Sequence, residues 1–600
     1  VDGLSASRLK VQPIQQRVQR ILIASDAVGN LFAPSEPTAF HVSVEANSPL
    51  APLERTIRCS VRDYWGAGQA APLVVPLVLQ PRQNGPFVYT ADVPVAPDAI
   101  SVGKFYELHI EVPQANGEPV AEYSGFAVLP LAATKRYKPE QIPFTIRNWD
   151  SRIPAYFQLA DRLGLRTLGV WGGWSAQAPY KPQCPGVDIC RDLDAQWITG
   201  TPAADVEREG FDRYSEAALR AGMKNFLEAF ADKGLAKIAL GNEPHGTGAK
   251  VLENVRAYRA IYETVKAFDP KIHVIGTSVE PNEEYFKAGY HECLDSYDFH
   301  IYEHYAGVRQ QMQQYRALMK KYDAVKPIHS TELGLNSQGQ TRLAVSREMI
   351  KKIVSFFAEG GATAGWFTIQ YPDANGKARG QFGDAHCMFD CKYNLYNPRL
   401  DAVTHYHLVN AICVKTFIAE KQYADECQAY LFRDDQGGCL QALWLDGARK
   451  DVFVPLTVAG PIRMISVDGT EQTLFAERGG VAVSLTDDPL LLLYDAPDAA
   501  LADSLPEPPI ALASAPGEIE SGATATLTFQ GRGLAAEKVR VIGPPLWKSQ
   551  VRQDGEGRVQ VQIESPAITS AREARFRIQT LSGDRVRGEL LVAVPVAAGQ

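Results

Sequence analysis

The chain has 600 residues, of which 45% are hydrophobic and 22% are charged, and its formal net charge is −8. This composition is typical of folded soluble proteins and argues against a disordered chain. The negative charge and the lack of a long Lys/Arg run argue against a nucleic-acid partner and against an anionic membrane surface. No apolar run approaches about eighteen residues, so we expect no membrane span. The length predicts roughly three to five domains.

Short strands with alternating polar and apolar residues fill residues 1–134 and predict an N-terminal β-sandwich domain. From 135 to 424, apolar strands alternate with amphipathic helices, which predicts βαβ units and a parallel sheet. Eight such units are typical of a (β/α)8 TIM barrel, the predicted catalytic domain. The candidate strands are Phe144–Trp149, Thr167–Trp171, Gln196–Thr199, Ala236–Gly241, His273–Ser278, Tyr297–Tyr302, Pro327–Thr331 and Gly365–Ile369.

Beyond the barrel the chain returns to short strands. Residues 425–496 predict a β-sandwich domain packed on the barrel. The stretch 497–509, rich in Ala, Asp and Pro, predicts a linker, and 510–600 predict an immunoglobulin-like β domain. The predicted fold class is therefore multidomain, with a central (β/α)8 TIM barrel, an N-terminal β-sandwich and two C-terminal β-sandwich domains.

Nine cysteines include three pairs that lie close in sequence, namely Cys184 with Cys190, Cys387 with Cys391, and Cys427 with Cys439. Local disulfides in an oxidising compartment are one interpretation, and free buried thiols are the other. The chain begins at Val1, which fits either a removed signal peptide or a shortened chain, and we expect a secreted or periplasmic protein. The cysteine spacing does not suit a zinc site, so we predict no metal.

An apolar run at the fourth predicted strand ends abruptly in Asn242-Glu243-Pro244. Since Pro244 cannot donate a hydrogen bond to a neighbouring strand, the strand must stop there and leave Glu243 at its carboxyl end. In a barrel enzyme this end of the strand is where catalytic residues lie. A cap for the following helix, or a solvated loop acid, explains Glu243 equally well from this stretch alone.

The seventh predicted strand delivers a second carboxylate, Glu332, in the same way. The carboxyl ends of all strands open on one face of a closed barrel, so Glu243 and Glu332 can meet across it. Paired carboxylates suit cleavage of a glycosidic bond, because one protonates the leaving oxygen while the other stabilises or attacks the anomeric carbon.

With these two strand ends the chain resembles the retaining (β/α)8 glycoside hydrolases of clan A, and in architecture it is most similar to family thirty-nine. The resemblance covers the barrel, about half of the chain. It implies that Glu243 is the general acid/base, that Glu332 is the nucleophile, and that Asn242 binds the sugar 2-hydroxyl. No cofactor is implied.

The sixth and eighth strands supply further candidates. His300 and Tyr302 lie on the same side of the sixth strand, and the resemblance implies that one of them contacts the nucleophile. Tyr302 is the preferred residue to orient Glu332, while His300 is either the second choice or a core histidine. Trp366 on the eighth strand is either an aromatic platform for the sugar or a core residue.

The mouth of the barrel should also hold residues that bind substrate. These candidates are Arg147, Trp149, Trp171, Trp174, His245 and Glu280. The predicted function is a retaining glycoside hydrolase that cleaves β-linked glycosides or a polysaccharide. The alternative is a catalytically silent carbohydrate-binding or scaffold protein on the same barrel.

Overall fold

The computed structural model describes residues 17–81, 85–114, 117–147, 153–170, 173–177, 180, 184–211, 214–370, 385–390, 392–456, 458–477, 479–496, 510–566 and 573–597. A closed parallel barrel is joined to an N-terminal pair of sheets and to a C-terminal stack of sheets, as the sequence predicted. Within these ranges, none of the helices combines the length and the apolar character that crossing a membrane requires.

The N-terminal domain is a β-sandwich. Its strands are β1 Val18–Ala24, β2 Leu31–Phe32, β3 Ala39–Ala46, β4 Thr56–Asp63, β5 Leu73–Pro76, β6 Val78–Leu79, β7 Phe87–Pro94, β8 Phe105–Val112 and β9 Val120–Val128. One sheet has the order β1-β3-β7-β6 and the other the order β2-β9-β8-β4-β5. Alternate residues such as Phe40, Val42 and Val44 are buried between the sheets, which explains the alternating sequence pattern.

The central barrel has the eight predicted strands, each hydrogen-bonded in parallel to the next and the last to the first. The strands are β10 Phe144–Ile146, β11 Thr167–Gly169, β12 Gln196–Thr199, β13 Leu235–Ala239, β14 His273–Ser278, β15 Ser296–Ile301, β16 Ile328–Leu333 and β17 Thr363–Trp366. A short antiparallel pair follows, β18 Phe389–Asp390 and β19 Asn397–Pro398.

Helices surround the barrel. They are α1 Pro154–Arg162, α2 Pro185–Asp192, α3 Ala203–Glu209, α4 Glu216–Phe230, α5 Ala249–Phe268, α6 Glu283–Lys287, α7 Ala306–Lys321, α8 Arg342–Ala358 and α9 Leu400–Ile412. Side-chain caps fix three of their starts: the Ser215 hydroxyl accepts from Ala218 N at α4, the Asn282 side-chain oxygen from Glu284 N at α6, and the Thr341 hydroxyl from Ala344 N at α8. The last helix, α9, ends at Ile412 because Cys413 has a left-handed φ of 44°.

The C-terminal strands form three stacked sheets. They are β20 Thr416–Lys421, β21 Cys427–Arg433, β22 Gly438–Leu445, β23 Lys450–Pro455, β24 Pro461–Ile465, β25 Glu471–Phe475, β26 Gly480–Leu485, β27 Leu490–Asp495, β28 Ala511–Ser514, β29 Ile519–Glu520, β30 Thr524–Gln530, β31 Val539–Ile542, β32 Lys548–Gln553, β33 Arg558–Glu564, β34 Glu573–Ser582 and β35 Arg585–Ala597. The sheet orders are β20-β21-β22-β27-β24-β25, β23-β26-β35-β34-β31 and β28-β30-β33-β32.

The middle sheet joins the two predicted C-terminal sandwiches. β26 comes from the first predicted domain and β35 from the second, and they pair in parallel with Ala482 opposite Gly588. One face of this sheet packs Val481 and Val483 into the core of the first sandwich. Its other face packs Ala482 and Leu590 into the core of the second. The two sandwiches therefore share one sheet.

For two of the three cysteine pairs the structure favours the free-thiol interpretation, because Cys190, Cys427 and Cys439 carry free thiols. Cys427 and Cys439 lie on neighbouring strands, but the register places them at opposite ends of the pair, Cys427 opposite Leu445. Cys184 and Cys190 lie six residues apart at α2, a rise of about 9 Å, which exceeds the ~7 Å limit for a disulfide. Cys391 lies outside the described residues.

The lumen of the barrel holds a cluster of basic side chains. Lys237 on β13 donates from Nζ to the Thr363 hydroxyl on β17 at 3.0 Å, and these strands are four apart in the closed order. The contact therefore crosses the lumen. His273 and His329 stack beside it with ring centroids 5.4 Å apart. Burial lowers the pKa of Lys237 to about 8.

We expect Lys237→Met to stabilise the barrel at neutral pH, on the order of 2 kcal/mol, because burying an ammonium against a hydroxyl costs more than burying a thioether. The folded pKa lies below the unfolded value, so the cost is fully present below pH 8 and disappears as pH rises towards about 10.5. Thermal unfolding of both proteins at pH 7 to 10.5 tests this. A Tm gap that does not narrow with rising pH would contradict it.

Candidate active site

Four strands bring polar side chains to one mouth of the barrel. Asn242 and Glu243 follow β13, Arg147 follows β10, and Glu332 lies within β16. β15 ends one residue before Tyr302 and contains His300. All of these positions are at the carboxyl ends of the strands, where the parallel topology gathers them on one face.

Glu243 and Glu332 face each other in this mouth. One oxygen of each carboxylate and one ring nitrogen of His300 lie within 4.8 Å of one another. The Glu243 side chain is 47% exposed, whereas that of Glu332 is 4% exposed. One carboxylate is therefore open to solvent and the other is enclosed.

Glu332 is held at both oxygens. Arg147 donates from Nη1 to Oε1 at 3.0 Å, and the Tyr302 hydroxyl donates to Oε2 at 2.6 Å. Burial, together with the negative charge of Glu332, raises the pKa of Tyr302 strongly, so the phenol keeps its proton and remains a donor. These two donors fix the carboxylate plane and stabilise its charge.

Asn242 is oriented from two sides. Its side-chain oxygen accepts from Arg147, and its backbone N–H donates to Oε2 of Glu207 at 2.8 Å. Glu207 is buried on α3 and also accepts from the hydroxyls of Tyr258 and Thr277. Burial raises its pKa. Glu207 was not among the predicted site residues, since an acid in a short polar helix carries no recognisable sequence signal.

Glu243 sits on strained backbone next to a histidine. Its φ is 52°, a left-handed value, and its N–H donates to the Ser278 hydroxyl at 2.9 Å. Its Oε1 lies 2.8 Å from Nδ1 of His300. This hydrogen bond, followed by the charges of His300, Arg147 and His245, lowers the pKa of Glu243 against the opposing effect of burial.

A cation between the two carboxylates is disfavoured by their existing partners. The guanidinium of Arg147 already lies against Glu332, and it would repel a metal ion placed there. The oxygens of Glu332 are also occupied by two donors. The donor set therefore orients the Glu332 carboxylate and leaves little room for its oxygens to ligate a metal ion.

The other predicted site residues are spread more widely. His245 and Glu280 are exposed, while Trp174 donates to Asp205 at 3.2 Å and contacts the Tyr214 ring. Trp366 is 2% exposed and packs in the barrel core, so it has no face open to a sugar, which corrects the platform interpretation. Trp149 and Trp171 lie outside the described residues.

Comparisons with family models and with curated proteins found no match. Among solved structures, a family 39 glycoside hydrolase from the gut symbiont Bacteroides cellulosilyticus WH2 superposes with a TM-score of 0.55 at 12% identity, covering 75% of this chain and 96% of that one. A glucosidase from Croceicoccus marinus gives a TM-score of 0.40 at 12% identity, covering 60% and 91% of the two chains. The catalytic domain of GH30 xylanase C from Talaromyces cellulolyticus gives 0.38 at 10% identity, covering 57% and 91%.

The TM-scores of the last two structures are below 0.5, so the fold comparison rests on the first. At 12% identity that likeness concerns the fold and not the activity. The chain therefore shares a (β/α)8 barrel fold with that family 39 enzyme, as the sequence resemblance predicted.

Proposed function

We propose that this protein is a retaining glycoside hydrolase that cleaves β-linked glycosides. The observation that carries the proposal is the pair Glu243 and Glu332, whose nearest oxygens lie within 4.8 Å. Retaining enzymes keep their carboxylates ~5–5.5 Å apart, whereas inverting enzymes need ~6.5–9.5 Å to admit a water. The spacing therefore supports attack by a carboxylate and not by a water held between the two acids.

The contrast between the two carboxylates assigns their roles. Glu332 is enclosed and held as an anion by Arg147 and Tyr302, which suits the nucleophile. Its oxygen forms a bond to the anomeric carbon as the bond to the leaving oxygen breaks. Glu243 is half-exposed and protonates that oxygen, then takes a proton from the water that releases the sugar.

Asn242 is placed to bind the sugar beside this pair. Its side-chain oxygen already accepts from Arg147, so the amide N–H2 is the group that remains for substrate. We propose that it donates to the 2-hydroxyl of the reacting sugar, a contact that strengthens in the transition state. Exposed His245 and Glu280 are proposed to bind the sugar or its leaving group at the rim.

Cleavage of a glycosidic bond by two carboxylates defines the substrate only as a class of carbohydrate. We propose a β-linked oligo- or polysaccharide, and an extracellular or periplasmic location in keeping with such a substrate. The free thiols of Cys190, Cys427 and Cys439 weaken the disulfide argument for that location, so the proposal rests mainly on the substrate class.

The test is the configuration of the first sugar released. We expect a panel of aryl β-glycosides to include a substrate, and proton NMR during the first turnovers to show the β-anomer. Trapping with the matching 2-deoxy-2-fluoro glycoside should add one sugar mass to the peptide that contains Glu332. An initial α-anomer would establish an inverting enzyme, and binding of glycans without any sugar release would favour the silent carbohydrate-binding alternative.

A further inference from the structure

A chain of hydrogen bonds runs from Glu243 into the barrel. It passes from Glu243 through His300 and Thr331 to Asp298, a carboxylate that is completely buried. Asp298 and Thr331 were not among the predicted site residues. Each side chain in this series of hydrogen bonds can donate only a limited number of hydrogens, and that number determines where the protons lie.

The inner end of the chain is set by Asp298. Its Oδ1 accepts from the Thr331 backbone N–H at 2.8 Å, and its Oδ2 accepts from the Thr331 hydroxyl at 2.6 Å. Burial is the main cause of a raised pKa at Asp298, but both short hydrogen bonds are donated by Thr331, one to each oxygen, which suits a carboxylate that accepts at both. The single hydroxyl hydrogen of Thr331 is therefore committed to Asp298.

The next link fixes the histidine tautomer. Nε2 of His300 lies 3.0 Å from the Thr331 hydroxyl oxygen, which has only a lone pair left to offer. Nε2 must therefore carry a hydrogen. It also lies 3.8 Å from Oδ2 of Asp298, whose negative charge favours a hydrogen at that position.

The contact between His300 and Glu243, at the outer end of the series, then requires one more proton. If His300 is neutral with its hydrogen on Nε2, Nδ1 is a bare lone pair. That lone pair lies 2.8 Å from Oε1 of Glu243 and 3.5 Å from Oε2 of Glu332. Two lone pairs do not bond at 2.8 Å, so a proton lies between Glu243 and His300.

We propose that one proton is shared between Glu243 and His300, and that Asp298, acting through the Thr331 hydroxyl, is the positioning residue that keeps it there. This inference rests on the proposed function. It also explains how Glu243 can act as an acid although its pKa is lowered. The proton that the leaving group needs is stored on the pair and not on Glu243 alone.

The proton balance of the reaction follows directly. In the first step the shared proton moves to the leaving oxygen, which leaves Glu243 ionised and His300 neutral with its hydrogen on Nε2. In the second step the attacking water bonds to the anomeric carbon as the ester bond to Glu332 breaks, one water proton returns to the pair, and Glu332 is released as a carboxylate. The charged and titratable groups that face the pair are Glu332, Arg147, Asp298, Tyr302 and His245.

The matched variants are Thr331→Val and Thr331→Ser. Valine keeps the shape and the backbone N–H but removes the oxygen that accepts from Nε2, whereas serine keeps the oxygen. We expect Thr331→Val to lower the apparent pKa of the basic limb of the kcat/KM profile by about one unit. One pKa unit corresponds to about the free energy of one hydrogen bond to a charged group. For a wild-type limb between pH 7 and 8, the ratio of kcat/KM at pH 8 to that at pH 6 should fall about fivefold below the wild-type ratio in Thr331→Val, and Thr331→Ser should follow the wild-type profile.

A readout that needs no substrate separates this inference from the proposed function. Nitrogen NMR of histidine-labelled protein, with the His300 signal assigned by its loss in His300→Gln, should show a hydrogen on Nε2 in the wild type. If no glycoside is turned over, the proposed function fails and the NMR result still tests the shared proton. A neutral His300 with its hydrogen on Nδ1, or a basic limb unmoved in Thr331→Val, would overturn the inference.

Discussion

Glu332→Gln should abolish turnover, lowering kcat by at least about 10³-fold, the range expected when a residue that forms a covalent intermediate is lost. The amide cannot form the bond to the anomeric carbon. It also mismatches its surroundings, because its N–H2 group would face Arg147 or the Tyr302 hydroxyl, where both oxygens of the carboxylate now accept. The measurement is kcat with the best aryl β-glycoside of the wild-type protein.

The control for Glu332→Gln is the same Glu-to-Gln substitution at a residue away from the mouth of the barrel. Glu228 on α4 is 55% exposed and faces Lys224 at 3.7 Å, so Glu228→Gln should keep full activity because exposed pairs contribute little to stability. An unchanged Tm in both variants would show that the fold is intact. Activity of Glu332→Gln within tenfold of the wild type would end its assignment as nucleophile.

Glu243→Ala should produce a loss that depends on the leaving group. For glycosides whose leaving oxygen needs a proton, we expect kcat/KM to fall about 10²–10⁴-fold, the usual contribution of general acid catalysis. Dinitrophenolate departs without a proton, so the first step with a dinitrophenyl glycoside should be nearly unaffected. The second step, in which water releases the sugar from the enzyme, should become slow. The covalent intermediate on Glu332 should then accumulate as a burst of dinitrophenol.

Azide supplies the second readout for this variant. The Glu243 side chain is 47% exposed, so its removal opens space beside the anomeric carbon for a small anion. Azide needs no general base, and it should restore turnover and give the β-glycosyl azide. Equal losses for good and poor leaving groups, with no effect of azide, would assign Glu243 a role in binding instead.

The barrel and its carboxylate pair could be predicted because parallel topology converts sequence order into position. Each strand of the closed barrel pairs with the next in sequence, so counting strands to Glu243 and Glu332 is enough to place both at one mouth. The residues behind them depend on register across strands, as when Thr331 meets Asp298. Asp298 offered one visible signal, an acid placed between the aromatic residues Tyr297 and Phe299 of a buried strand.

Side-chain direction and long-range pairing were the parts that sequence could not supply. Trp366 was a natural choice for a sugar platform, yet it points into the core, and its neighbour Phe367 is the aromatic residue beside Tyr302, with ring centroids 6.0 Å apart. The shared middle sheet depends on parallel pairing of Ala482 with Gly588. Nothing in the local pattern of either strand encodes such a distant partner.

That shared sheet changes how the chain after the barrel can be divided. Truncating the chain between β27 and β28, where the composition suggests a domain boundary, would remove β35, the neighbour of β26. The edge of β26 would then expose unpaired backbone donors and acceptors. Such an edge is a template for association with other chains. The last ninety or so residues therefore do not form a separable domain, since they complete a sheet to which the preceding strands also belong.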